Sequence, residues 1–172
     1  MLFDKLKRVK AFILDVDGVL TNGEVLVTEQ GEQLRSFNIR DGYALQLAVK
    51  KGFSIAVITG GRSEGVRLRL EGLGIIDTFM GIQDKITCFN KWLNEQQFQA
   101  GDVLYMGDDI PDLTIMREVG IAACPNDAVE EIKAVSHYIS SKDGGKGAVR
   151  DVIEKVLKLQ NKWDDDVAVK SI

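Results

Sequence analysis

Short, unbroken apolar runs punctuate the chain at long intervals: Ala11–Leu14, Ile55–Ile58 and Val103–Met106. Runs this short, closed by polar residues and glycine, read as strands buried on both faces rather than as helices. The first closes on Asp15-Val16-Asp17-Gly18, the second on Thr59-Gly60-Gly61, the third on Gly107-Asp108-Asp109. Ile121–Ala123 and Tyr138-Ile139 are shorter candidates. Between them apolar residues recur at helical spacing over 43–51, stopped by Gly52, and over 63–73, with Ser63 a candidate N-cap and Gly74 the terminating glycine. Three more helices are predicted over 85–95, 113–119 and 147–160. Strand and helix in alternation predict an α/β fold with a parallel central sheet and helices on both faces. Ligands of such sheets bind outside the carboxyl ends of the strands. One stretch breaks the alternation. Residues 23–38 read as two strands, Val25–Val27 and Gln33–Phe37, around a turn at Glu29-Gln30-Gly31: a β-hairpin inserted after the first strand.

Composition narrows the class. A chain of 172 residues is the length of one domain, and 45% hydrophobic with 28% charged residues excludes a disordered or fibrous chain. Acids outnumber bases, 26 to 22, so neither nucleic acid nor an anionic membrane is an expected partner. Cys88 and Cys124 lie far apart without C-x-x-C spacing, which argues against a disulfide framework or zinc ribbon and for a reducing compartment. Residues 1–10 carry five charges and no apolar stretch, so no secretory leader is expected. No apolar run approaches the ~18 residues of a membrane span. A cytoplasmic protein is expected, with one domain over 1–162 and a tail over 163–172. By itself that tail, with its run Asp164-Asp165-Asp166, reads as a disordered end.

The strand ends carry the chemistry. If the sheet is parallel, Asp15, Asp17, Thr59, Asp108, Asp109 and Asp112 converge on one edge. Five carboxylates there require a cation, since like charges would raise one another's pKa values strongly. Oxygen donors without His or Cys select Mg²⁺, which commonly completes its shell with phosphate oxygens. Donors for phosphate are at hand: the Thr59 hydroxyl, the Gly60 and Gly61 amides before a helix, and Lys85 at the start of the next. Within Asp15-Val16-Asp17 one carboxylate can attack phosphorus while the other protonates the leaving oxygen and later deprotonates water. Singly, each residue has an ordinary reading: the acids as helix caps (Asp109 and Asp112 before the helix near Pro111), Thr59 as a turn residue, Lys85 as a solvated lysine. The one histidine, His137, lies in another segment and reads as an ordinary residue. The ordered combination is what points to phosphoryl chemistry.

That order resembles the haloacid dehalogenase superfamily of phosphohydrolases, through Ile13–Thr21, Ile58-Thr59-Gly60, Lys85, and Gly107-Asp108-Asp109 with Asp112. The resemblance implies a three-layer Rossmann-like fold, Asp15 as nucleophile, Asp17 as general acid/base, and Thr59 and Lys85 holding the phosphoryl group. It implies Mg²⁺ on Asp15, the Asp17 carbonyl and Asp108, supported by Asp109 and Asp112. The 41 residues between Asp17 and Thr59 and the 25 between Thr59 and Lys85 leave no room for a cap domain. The chain looks like the capless sugar-acid phosphatases of the superfamily, also through Phe37–Tyr43, Leu73-Gly74-Ile75, Gly144–Arg150 and Lys170-Ser171-Ile172. That likeness implies a phosphorylated eight-carbon sugar acid as substrate, with a nine-carbon one as the alternative. It further implies a homotetramer built by the hairpins and a tail able to close over an active site. A phospho-accepting receiver domain is the alternative of another class, disfavoured by the second aspartate, Asp17. After Thr59-Gly60 the family often has arginine directly, whereas here Gly61 intervenes before Arg62. Arg40 and Arg69 are then the candidates for a substrate carboxylate; each reads equally as a surface or interface salt bridge.

Overall fold

The computed structural model describes residues 2–164 and 169. Helix α1 (Leu2–Leu6) leads into β1 (Ala11–Leu14) and a wide helical turn over Val16–Leu20. The hairpin follows as β2 (Leu26–Val27) and β3 (Gln33–Leu34), then α2 (Ile39–Lys50), β4 (Ser54–Ile58), α3 (Glu64–Gly72) and β5 (Asp77–Phe79). Helix α4 (Lys85–Gln96), β6 (Val103–Met106), α5 (Leu113–Glu118), β7 (Ile121–Cys124), α6 (Glu130–Val135), β8 (Tyr138–Ile139) and α7 (Ala148–Leu159) complete it. Six strands form a parallel sheet in the order β5-β4-β1-β6-β7-β8. The order reverses direction at β1, which opens a crevice at the carboxyl ends of β4, β1 and β6.

Alternate strand residues explain the unbroken apolar runs. Phe12, Leu14, Val57, Leu104 and Met106 pack on one side with α1, α2, α3 and α7. Ala11, Ile13, Ala56, Val103 and Tyr105 pack on the other with α4, α5 and α6. Both faces are covered, so no strand shows a polar alternation. Helix α7 buries Ala148, Val149, Val152, Ile153, Val156 and Leu157, a stripe at 3.6-residue spacing, each large side chain worth ~1.5–3 kcal/mol.

The predicted elements are present, with α2 starting four residues earlier than its apolar pattern because Asn38 caps it through the Arg40 amide. The hairpin is present but shorter than read: only Leu26↔Leu34 and Val27↔Gln33 pair. Its turn carries Thr28 N–H to Glu32 O and Gly31 N–H to Thr28 O hydrogen bonds. Of the tail, Trp163 lies against Tyr43 and Arg150 at 6.2 Å and 5.3 Å, and Asp164 pairs with Lys51 at 2.6 Å. The remainder of 163–172, Val169 excepted, lies outside the described residues, and with it the expected closing segment. No helix among the described residues is long and apolar enough to cross a membrane.

Helices α2 and α7 are locked by Asp41. Its carboxylate accepts the Gly147 and Arg150 amides at 3.3 Å and 2.7 Å, capping α7 from a neighbouring helix. Burial pushes this carboxyl up to about 6 from 3.8, against the two amides and the Arg150 charge. The unfolded chain therefore releases the proton first, and this contribution to stability, full below pH 3.8, is lost as pH rises through about 6. Asp41→Ala is expected to cost about 1–2 kcal/mol by orphaning two amides. Asp41→Asn, which keeps an acceptor, is expected to cost less and to gain on the wild type as pH rises from 4 to 7. Urea unfolding of both variants across that range checks both statements.

Candidate active site

The register brings the reactive residues together. Leu14 lies between Val57 and Met106 in the sheet, so the residues after β1, β4 and β6 emerge side by side. Asp15 donates its amide to Met106 O at 3.1 Å, the last rung of the ladder. Its Oδ1 accepts the Val16 amide at 2.7 Å, and its Oδ2 lies 2.8 Å from Lys85 Nζ. The chain then curls through Val16–Leu20, closed by Thr21 N–H to Val16 O at 3.0 Å. Gly18 makes the curl possible on two counts: its φ is +81°, and a Cβ there would lie 2.0 Å from Asp108 Oδ2.

Asp108 follows β6, Asp112 precedes α5, and Lys85 opens α4. Asp112 is fully buried; its Oδ1 accepts from Lys85 Nζ at 2.7 Å and from the Tyr105 hydroxyl at 2.5 Å. Its Oδ2 accepts the Asp108 amide at 3.2 Å. Lys85 thus bridges Asp15 and Asp112, held at the first turn of α4, whose cap is Asp84. Carboxylate oxygens of Asp15, Asp108 and Asp112 lie within 4.8 Å of one another. One ammonium faces three acids, and the electrostatics follow. Burial, then Asp112, pushes Asp15 up to about 6 against the pull of Lys85. Burial, then Asp15, Asp112 and Asp109, pushes Asp108 up to about 8. Burial opposes the charge on Lys85, but Asp112 and Asp15 outweigh it and hold the ammonium protonated.

Asp108 Oδ1 is buried with no hydrogen-bond partner among the described residues. An unsatisfied carboxylate oxygen in an all-oxygen cluster with surplus negative charge fits a hard divalent cation such as Mg²⁺. Asp109, expected to support the metal, instead turns its carboxylate to the Ile110 amide at 2.8 Å and caps the short turn over 110–112. Its contribution to the cluster is its charge. Asp112, the more deeply buried of the two, is the one that enters the cluster.

The second half of the site gathers around Thr59. Asp17, Thr59 and Gly61 line one narrow recess with Arg35. Thr59 Oγ1 accepts the Gly61 amide at 3.2 Å, so that amide, counted as a phosphate donor, is already engaged. Arg62 turns away and packs its guanidinium on the backbone of Gly81. Neither Arg40 nor Arg69 lines the recess. Arg40 is exposed beside Lys142, Lys146 and Arg150 near the start of α7, and Arg69 is half-buried on α3. His137, read as an ordinary residue, accepts the Ala122 amide on its Nδ1 at 3.0 Å.

Two residues escaped the sequence reading. Tyr105 is one; it is indistinguishable from a core aromatic until its hydroxyl is placed on Asp112. Arg35 is the other, and here a signal existed. The expected strand over 33–37 would put Arg35 on the same side as Phe37, and although pairing ends at Leu34, Phe37 packs on the core and Arg35 is partly buried with it.

No family model matches the chain. Among curated proteins, 3-deoxy-D-manno-octulosonate 8-phosphate phosphatase of Yersinia pestis is 34% identical over 163 residues, 95% of this chain and 87% of that protein. Among solved structures, the enzyme of the same name from Moraxella catarrhalis, in complex with magnesium ion, phosphate ion and KDO, superposes with a TM-score of 0.93 at 37% identity, covering 97% of this chain and 96% of that one. The cobalt-bound deoxy-D-mannose-octulosonate 8-phosphate phosphatase of Haemophilus influenzae gives 0.88 at 33% identity, covering 91% and 92%. Near-complete coverage in both directions joins the acidic cluster, the curl at Gly18 and the uncapped sheet edge in one conclusion: the chain belongs to the 3-deoxy-D-manno-octulosonate 8-phosphate phosphatases of the haloacid dehalogenase superfamily.

Proposed function

We propose that the protein is a Mg²⁺-dependent phosphomonoesterase that releases phosphate from 3-deoxy-D-manno-octulosonate 8-phosphate. The observation that carries this reading is the Lys85 bridge between Asp15 and Asp112, with Asp108 against them and Asp17 beside Thr59. The metal would be held by the Asp15 and Asp108 carboxylates and the Asp17 main-chain carbonyl, with Asp112 keeping Asp108 and Lys85 in place. Bound there, Mg²⁺ would supply positive charge to offset the negative charge gathered at the site.

Asp15 attacks phosphorus as the ester P–O bond breaks, and Asp17 gives its proton to the departing sugar oxygen. The Thr59 hydroxyl and Lys85 hold the phosphoryl oxygens through the transfer. Asp17, now ionised, takes a proton from water, whose oxygen displaces Asp15 and yields inorganic phosphate. Monoester and water become alcohol and phosphate, with both aspartates returned to their starting forms. A second aspartate two residues from the nucleophile supports turnover rather than storage of the phosphate.

The hairpin supports self-association into the expected homotetramer. Val25, Leu26, Val27 and Leu34 are exposed, Leu26 by 67% and Val27 by 62%, on a two-stranded element with open edges. The two unpaired cysteines support a reducing, cytoplasmic setting.

Three outcomes test this. Asp15→Asn is expected to abolish phosphate release from a panel of phosphorylated sugars and sugar acids in Mg²⁺; full activity would sink the mechanism, and preference for a nine-carbon acid would correct the substrate. Mg²⁺ at a hundred times its Kd is expected to stabilise the fold by about 2.7 kcal/mol. Asp108→Asn is expected to lose that stabilisation, yet to unfold no earlier than the wild type in chelator, because the amide imitates the neutral acid that the site favours. Thermal unfolding with and without Mg²⁺ reads both. Sedimentation should give a tetramer for the wild type and smaller species for Leu26→Asp; a monomeric wild type at micromolar concentration would refute the assembly.

A further inference from the structure

Arg35 enters the site from β3's extension, a part of the chain that none of the reactive motifs includes. Its Nε lies 2.6 Å from Asp17 Oδ1 and its Nη2 lies 3.2 Å from Asp17 Oδ2, a two-pronged fork on one carboxylate. The side chain is 7% exposed although the hairpin that bears it is open to solvent. A planar guanidinium bound this way fixes the direction of the carboxylate plane as well as its position.

The fork lies over Gly61. A Cβ built there would be 3.4 Å from Asp17 Oδ2, 3.5 Å from Arg35 Nη2 and 3.6 Å from Thr59 Oγ1. The carboxylate, the guanidinium and the hydroxyl therefore converge above one bare α-carbon. This gives the extra glycine before Arg62 a physical counterpart: Arg62 leaves for Gly81, and the hairpin supplies a different arginine to the space in front of Thr59. Among the described residues Arg35 is the one hydrogen-bond partner of the Asp17 carboxylate, so its rotamer depends on Arg35.

We propose that Arg35 is the positioning residue for Asp17, aiming its carboxylate at the recess where the attacking water must pass. The proposal rests on the phosphatase reading. It assigns no contact between Arg35 and substrate: both prongs of the guanidinium are engaged by Asp17. Loss of the fork frees two side-chain torsions of Asp17, and a misplacement of about 1 Å in a proton-transfer group costs on the order of 100-fold in rate.

The test is a double-mutant cycle on hydrolysis of 4-nitrophenyl phosphate in saturating Mg²⁺, using Arg35→Met, Asp17→Asn and the two combined. Arg35→Met is expected to lower kcat by roughly 10–100-fold with KM within about twofold, and Arg35→Lys to recover part of the loss. In the Asp17→Asn background, Arg35→Met is expected to change kcat by less than about twofold, because nothing is left for it to aim. Equal losses in both backgrounds would make Arg35 a brace for the hairpin and overturn the proposal. A rise in KM at unchanged kcat would make it a substrate contact and overturn it as well. Thermal unfolding of each variant separates these outcomes from misfolding; where Arg35→Met fails to fold, Arg35→Gln carries the same cycle. A wild type that releases no phosphate would instead refute the phosphatase reading itself.

Discussion

Three carboxylates and one ammonium share the crevice at the end of β1. Lys85 neutralises part of that charge, and burial raises the cost of the rest, so Asp15 and Asp108 are both pushed toward their neutral forms. A fold that holds like charges this close must restrain them from several directions. Tyr105 and Lys85 fix one oxygen of Asp112, and the Asp108 amide fixes the other. Asp108 Oδ1 stays buried without a hydrogen-bond partner among the described residues, a position that suits the charge of a hard cation. Repulsion that would otherwise open the site becomes the source of its affinity for a hard metal.

The restraint extends behind the cluster. The glycine-rich segment before α7 packs directly on the curl at Gly18. A Cβ at Gly144 would lie 1.8 Å from Gly18 O, and the Gly145 amide donates to Val19 O at 3.0 Å. Asn38 donates to Gly145 O at 3.2 Å, and Asp41 caps α7 just beyond. A continuous set of contacts therefore runs from the α2–α7 pair to the turn that carries Asp17. The hairpin adds a further tie through Arg35 on Asp17, so the turn is held by the hairpin as well as by the segment before α7.

Much of this was legible in the chain. Buried parallel strands advertise themselves as short apolar runs because both faces are covered, and the acids after them stand out against that background. Legibility failed where local sequence is ambiguous. The short helices α1 and α6 have too few turns to show a period, and the hairpin strands pair over two residues each although the apolar pattern runs longer. Arg40 and Arg69 looked like anion contacts by residue type, whereas the arginine that reaches the recess is Arg35.

By itself the sequence determined the α/β class and the absence of room for a cap, because the apolar runs and the intervals between them are read directly along the chain, and it singled out Asp15, Asp17, Thr59, Lys85, Asp108, Asp109 and Asp112 as candidates through their order after three apolar runs. Tertiary structure alone decided which acid faces the cluster and which faces solvent, separating Asp112 from Asp109. It also decided that Arg35, 18 residues from Asp17, holds that carboxylate while Arg62 turns away. The reason is geometric: such choices depend on distances between segments that meet only when the strands align and the turn at Gly18 closes on Asp108.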